Sequence, residues 1–148
     1  MQLETKRFGT LSIEDDRLFF FPQGIVGFES LRQWVLLSDP SSPAVAWLQS
    51  ASSRDHAIAV ISPRAFFQSY RVGVDRRDLL PLKLRTNDRV YVLTTVAGHV
   101  GRLETNLRAP ILLNLTRRIG VQTVTSEDFP VRQSLPAVYM PRQFSAAA

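Results

Sequence analysis

The sequence predicts a mostly β fold: a single small antiparallel β-barrel-like domain with one or two short helical turns. Three observations carry this. Apolar and β-branched runs of four to eight residues recur along the chain, turn residues stop them at close intervals, and no stretch sustains helical periodicity. The 148 residues fit one domain, and no repeat or change of composition marks a second.

Taken in order, Phe8-Gly9-Thr10-Leu11-Ser12-Ile13 alternates as a strand. The acidic run Glu14-Asp15-Asp16 reads as a hairpin turn; it lacks the alternating oxygens of a calcium loop. Arg17 to Phe21 is an aromatic strand stopped by Pro22-Gln23-Gly24. Trp34–Leu37, Val45–Gln49 and Ala57–Ile61 follow as strands. Ser62-Pro63 offers an N-cap hydroxyl with proline at the first helical position, so Arg64–Tyr70 is assigned one or two helical turns. Asp78-Leu79-Leu80 gives another turn. Arg89–Ala97 is the clearest strand and, being apolar on both faces, is placed centrally. Arg102–Thr105, Ile111–Leu115 and Gly120–Thr125 complete the set. The domain is expected to span 1–133. The segment 134–148, with Pro136 and Pro141, is read as a flexible tail carrying the apolar residues Val138, Tyr139, Met140 and Phe144.

Composition narrows the chemistry. There is no cysteine, which removes disulfides, thiol nucleophiles and thiolate metal sites. The two histidines, His56 and His99, stand alone in turn-like contexts without ligand partners at metal spacing, and read as solvated loop side chains. No serine is framed as a nucleophile elbow, and Gly24-Ile25-Val26-Gly27 matches no phosphate-binding loop. The chain is therefore expected not to be an enzyme and to need no cofactor or metal. Met1 to Arg7 precedes no apolar run, so no signal peptide is expected; with no span of membrane length, the expected location is the cytoplasm.

The net charge is +5, and every cation except Lys6 and Lys83 is an arginine. Residues 1–40 are net acidic, so the positive excess lies beyond them. A basic β-barrel with aromatics is a known single-strand RNA platform, which makes RNA binding the alternative function. The pairs Arg76-Arg77 and Arg117-Arg118 are otherwise read as solvated charges, and no RNA-binding signature is present.

Four spans, in order, resemble the flagellar assembly factor FliW family. They are Phe20-Phe21-Pro22-Gln23-Gly24-Ile25-Val26-Gly27-Phe28-Glu29, Trp47-Leu48-Gln49-Ser50, Thr105-Asn106-Leu107-Arg108-Ala109-Pro110-Ile111-Leu112-Leu113-Asn114, and Gly120-Val121-Gln122. Ser62-Pro63 stands where the family has Asp-Pro. The resemblance implies a protein that binds newly made flagellin and, in exchange, the RNA-binding translational repressor CsrA. It implies no turnover. Most matching residues are expected to serve core and turn, with Asn106 and Asn114 satisfying backbone groups at the ends of their strand. Phe28, Glu29, Gln49, Ser50 and Asn106 are the expected partner contacts, with Gln49, Ser50 and Asn106 exposed. Family members that capture CsrA tend to be acidic, so this basic chain is expected to hold CsrA, if at all, through a local acidic face around Glu14-Asp15-Asp16 and Glu29.

Overall fold

A computed structural model describes residues 1–99 and 101–136. The strands are β1 (Gln2–Thr5), β2 (Gly9–Ser12), β3 (Leu18–Phe20), β4 (Gln33–Asp39), β5 (Ser42–Ser50), β6 (Ala57–Ile61), β7 (Val90–His99), β8 (Arg102–Thr105), β9 (Ile111–Asn114), β10 (Ile119–Gln122) and β11 (Gln133–Ser134). Two single-turn helices, α1 (Pro63–Phe66) and α2 (Arg76–Leu79), lie between β6 and β7, and a 3-10 turn at Leu80–Leu82 extends α2.

β1 and β2 form a separate hairpin. The remaining strands form one sheet in the order β11-β8-β7-β6-β5-β4-β3-β10-β9. β7 also bonds to β9, pairing Val90 with Asn114 and Leu93 with Ile111, so β3, β4, β5, β6, β7, β10 and β9 close into a ring. Among the described strands every pairing is antiparallel except β3 with β10, where Phe20 lies beside Ile119. Closure removes most of the free sheet edge.

Period-two alternation decides what fills the ring. Phe19, Phe21, Trp34, Leu48, Val60, Leu93, Ile111 and Leu113 form one buried cluster. Their neighbours Trp47, Ala59 and Ile61 belong to a second, beside Phe8, which follows β1, and Phe66 of α1. Leu112 and Val121 belong to a third, covered by Leu82 and Leu79. Outer faces as well as inner ones are thus covered. This is why β7 and β9 read as apolar on both sides. β7 is central as expected, bonded to β6, β8 and β9.

Several expectations change. Glu14-Asp15-Asp16 is not a hairpin turn: Asp15–Arg17 is a 3-10 turn carrying the chain from the β1–β2 hairpin into the ring. β1 lacks a strong apolar pattern, exposing Gln2 and Glu4 while burying Leu3 and Thr5. Ser62 occupies the N-cap position of α1, with Pro63 next, but its hydroxyl makes no capping bond, and the helix is one turn long. Gln133–Ser134 pairs with β8, the Leu135 N–H donates to the Leu103 carbonyl at 2.9 Å, and Leu135 is buried in the second cluster. The tail residues Val138, Tyr139, Met140, Pro141 and Phe144 lie outside the described residues.

Candidate functional site: three loops at one end of the ring

β3 ends at Phe20, β4 begins at Gln33, β5 ends at Ser50, β9 begins at Ile111 and β10 ends at Gln122. The registers Phe20 to Gln33, Trp34 to Ser50 and Ile111 to Gln122 bring these points to the same end of the ring. The loops 21–32, 51–56 and 106–110 therefore meet there. They contain most of the motifs singled out in the sequence.

The first loop folds on itself. Gly24 N–H donates to the Phe21 carbonyl at 3.0 Å, Phe28 N–H to Ile25, and Leu31 N–H to Phe28 at 3.0 Å. Gly24 adopts φ +68° with the Glu29 backbone against it; a Cβ there would lie 2.5 Å from the Glu29 Cα. Only glycine meets both demands. The Trp34 indole N–H donates to the Leu31 carbonyl at 2.8 Å, tying the loop to the barrel interior. Phe28 packs edge-on against Trp34 at 6.1 Å and against His56 at 5.4 Å.

The second loop hangs from Gln49 and Ser50. The Gln49 amide nitrogen sits 3.1 Å from the Ser50 carbonyl and 3.4 Å from those of Ser53 and Arg54. Ser50 Oγ accepts the N–H groups of Ser52 and Ser53 at 3.2 and 3.0 Å. The Gln49 amide nitrogen and the Ser50 hydroxyl shape this turn, while Gln49 Oε1 is buried without a hydrogen-bond partner among the described residues. Gln49 and Ser50 are each 0% exposed, which corrects the expectation that they are exposed. A strand-end Gln-Ser looks the same in sequence whether it faces a partner or its own loop. His56 is likewise not a solvated side chain: its Nδ1 lies 2.6 Å from Ser53 Oγ and its ring edge meets Phe28. His99 is exposed at the end of β7.

In the third loop, Asn106 Oδ1 accepts the N–H groups of Arg108 and Ala109 at 3.0 and 3.1 Å. This Asx turn leaves Asn106 half-buried. At the other end of β9, Asn114 does the same for Thr116 and Arg117, and donates to the Leu82 carbonyl at 2.9 Å and to Asp88 at 3.0 Å. Asn114 thus serves the end of β9 as expected, whereas Asn106, which follows β8, shapes the loop ahead of β9. The Asn114 bond, the Arg85 N–H and Arg117 hold the Asp88 carboxyl below its usual range, against some burial.

Gln122 joins the loops. Its Oε1 accepts the Val26 N–H at 2.9 Å, and its Nε2 donates to the Ala109 carbonyl at 3.1 Å. Two positions earlier, Gly120 lies under the Phe21 ring, where a Cβ would come within 2.3 Å of a ring carbon. The spacing of Gly120 and Gln122 follows from these two contacts.

What this end presents to solvent is short and mixed. Val26 is 73% exposed and Val124, on the segment bonded back to Pro110 and Arg108, is 64% exposed. Glu29, Arg54 and Asp55 are exposed beside them, and Glu29 also accepts the Gly27 N–H at 3.1 Å. The acidic residues expected to form one face are separated: Glu29 is at this end, Asp15 and Asp16 at the other end of β3. At that far end Arg118 lies over the Phe19 ring at 3.9 Å and donates to the Arg17 carbonyl at 2.8 Å. Burial and the neighbouring Arg17 charge lower its pKa. Arg117 is exposed but pairs with Asp88 at 3.1 Å, so of this pair Arg118 departs from the expected solvated charge, while Arg76 and Arg77 are exposed.

Among the described residues no group of three His, Asp or Glu side chains is placed to hold a metal ion. Among the described residues no helix is long and apolar enough to cross a membrane. The site is built of turn-forming hydrogen bonds and a small exposed rim.

Ring closure and three loops held by their own side chains define a small, mostly β, barrel-like domain. The FliW protein family model matches residues 2–135, and the chain belongs to that family. A flagellar assembly factor FliW from Moorella thermoacetica is 38% identical over 127 residues, covering 84% of this chain and 80% of its own. One from Clostridium tetani is 32% identical over 135 residues, covering 89% and 93%. A crystal structure of the flagellar assembly factor FliW superposes with a TM-score of 0.84 over 97% of this chain and 100% of that one, at 24% identity, which supports the fold.

Proposed function

We propose that this chain binds flagellin and, in exchange, the translational repressor CsrA, relieving repression of flagellin translation. Family membership over residues 2–135 is the observation that carries the reading. When flagellin is abundant it occupies the chain and CsrA is free to repress; when flagellin is exported the chain captures CsrA. Two linked binding equilibria are enough, and no covalent step or cofactor enters. The action belongs to the cytoplasm, where both partners are made.

The docking face is the loop end of the ring, with Phe28, Glu29 and Asn106 in it. Gln49 and Ser50 act from beneath by holding the 51–56 turn. The working unit is the domain of residues 1–133 with the β11 edge. Flagellin is the firmer partner. CsrA faces a chain of net charge +5 whose acidic residues are divided between two ends of β3. Direct RNA binding is the weaker reading: the sequence carries no RNA-binding signature, and of its two arginine pairs, Arg117 is tied to Asp88 and Arg118 lies over the Phe19 ring.

Purified chain mixed with flagellin of its own host should give a complex at micromolar concentration, and added CsrA should compete for it. A gel shift with mixed RNA should show no salt-sensitive binding; retardation lost steeply with salt would favour the RNA reading.

A further inference from the structure

At the end of the ring opposite the three loops, β7 continues beyond its neighbour. β6 pairs with β7 only at Val60–Thr95 and Ile61–Thr94. The N–H of Leu115 donates to the Arg89 carbonyl and that of Asn106 to the Thr95 carbonyl, so odd-numbered residues of β7 turn their main-chain groups toward β9 and β8. By alternation Val90, Val92 and Thr94 turn theirs toward β6. Thr94 meets Ile61. Two residues on, the register sets Pro63 opposite Val92, and proline has no N–H to give. The chain then leaves the sheet as α1 (Pro63–Phe66), and β6 supplies no register partner for Val90 or Val92.

A groove of about 270 Å³ lies along this edge, lined by Ser62, Pro63, Arg64, Val90, Tyr91 and Val92. Its apolar walls include Val90 and Tyr91, which are 43% and 47% exposed. Its rim is basic: Arg64, whose Nε donates to the Tyr70 carbonyl at 3.2 Å, and Arg89 are exposed, and among the described residues neither is in an ion pair. A strand edge without a register partner beyond Thr94, with apolar walls and cationic ends, has a definite complement.

We propose that this edge of β7 takes up an extended, acid-flanked peptide segment of a partner protein as an added strand. The segment's main chain bonds to Val90 and Val92, one apolar side chain rests on Pro63 and Tyr91, and a carboxylate meets Arg64 or Arg89. The site is distinct from the loop end and does not depend on the flagellin and CsrA reading.

The probe is a fluorescein-labelled peptide of alternating valine and threonine, flanked by glutamates, titrated into the full chain. Expected is saturable binding, with amide shifts or slowed hydrogen exchange at Val90 and Val92. The same peptide N-methylated at alternate residues should bind at least tenfold more weakly, as should a lysine-flanked version. Val90→Pro removes the open donor without taking away an internal strand bond, and should weaken binding at least tenfold at an unchanged melting temperature. If that variant unfolds, Arg64→Glu replaces it, with a severalfold loss that high salt abolishes in the parent. Absence of binding at millimolar peptide overturns the proposal. So do equal affinities for the N-methylated peptide, shifts confined to another surface, or occupation of the edge by a second copy of the chain.

Discussion

Gln122 Oε1 accepts the Val26 N–H across 96 positions of sequence, and the same amide donates to Ala109. One side chain thus fixes the exposed Val26 tip relative to the Asx turn at Asn106. Gln122→Ala removes both bonds and should cost about 1–2 kcal/mol in denaturant unfolding. Gln122→Glu keeps the acceptor and sets a carboxylate oxygen against the Ala109 carbonyl, so it should rescue only part of that loss.

Gly120→Ala should be worse than a helix or surface glycine change. The new methyl meets the Phe21 ring, which is fully buried in the barrel core with no flexible end to give way. Overpacking of this kind costs about 1–3 kcal/mol. The melting temperature should fall, and flagellin binding should fall with it, because Phe21 begins the loop proposed to dock the partner.

Tyr70 donates its hydroxyl to the Leu107 carbonyl at 2.7 Å, and burial raises its pKa to about 12. The raised value means that its contribution is fully present below the ordinary tyrosine value near 10 and is lost as pH rises through the folded value. Denaturant midpoints should therefore drop between about pH 10 and 12. Tyr70→Phe should lower stability at pH 7 by about 1–2 kcal/mol and flatten that alkaline loss.

Asp39 works in the opposite direction. Burial raises its pKa, but hydrogen bonds from Ser41 and the Trp47 indole, with the Arg7 charge, outweigh it and leave the carboxyl below its ordinary value. Its contribution is complete above the usual aspartate value of about 3.9 and is lost as pH falls toward the folded one. Unfolding followed from pH 6 to pH 3 should show an acid slope that Asp39→Asn reduces.

The ring's strands were legible because alternation and turn residues are local signals. Arg89–Ala97 and Ile111–Leu115 were placed nearly to the residue. The missed pieces needed distant partners. β1 is half polar and exists because Leu3 and Thr5 turn inward, while β11 consists of two residues held by β8. Ring closure through β7 and β9, and the single parallel link of β3 to β10, are tertiary facts without a local cue.

The site was legible as motifs but not as roles. Gly24, Gly120 and Asn106 do what their residue types suggest. Gln49 and Ser50 mislead because polarity at a strand end is silent about whether loop or partner satisfies it, and the three carbonyls around the Gln49 amide come from positions that fold back. Arg118 misleads likewise: its guanidinium caps Phe19, a core residue that sequence cannot place beneath it.

The most direct measurement compares flagellin capture by the parent chain, by Glu29→Lys and by Leu80→Ser, each with a verified fold. Glu29 sits at the loop end, and Leu80 is 71% exposed on the outer α2 segment away from it. A micromolar complex with the host's flagellin, weakened at least tenfold by Glu29→Lys and untouched by Leu80→Ser, is the predicted result. No complex with the parent chain, or equal binding by Glu29→Lys, would contradict it.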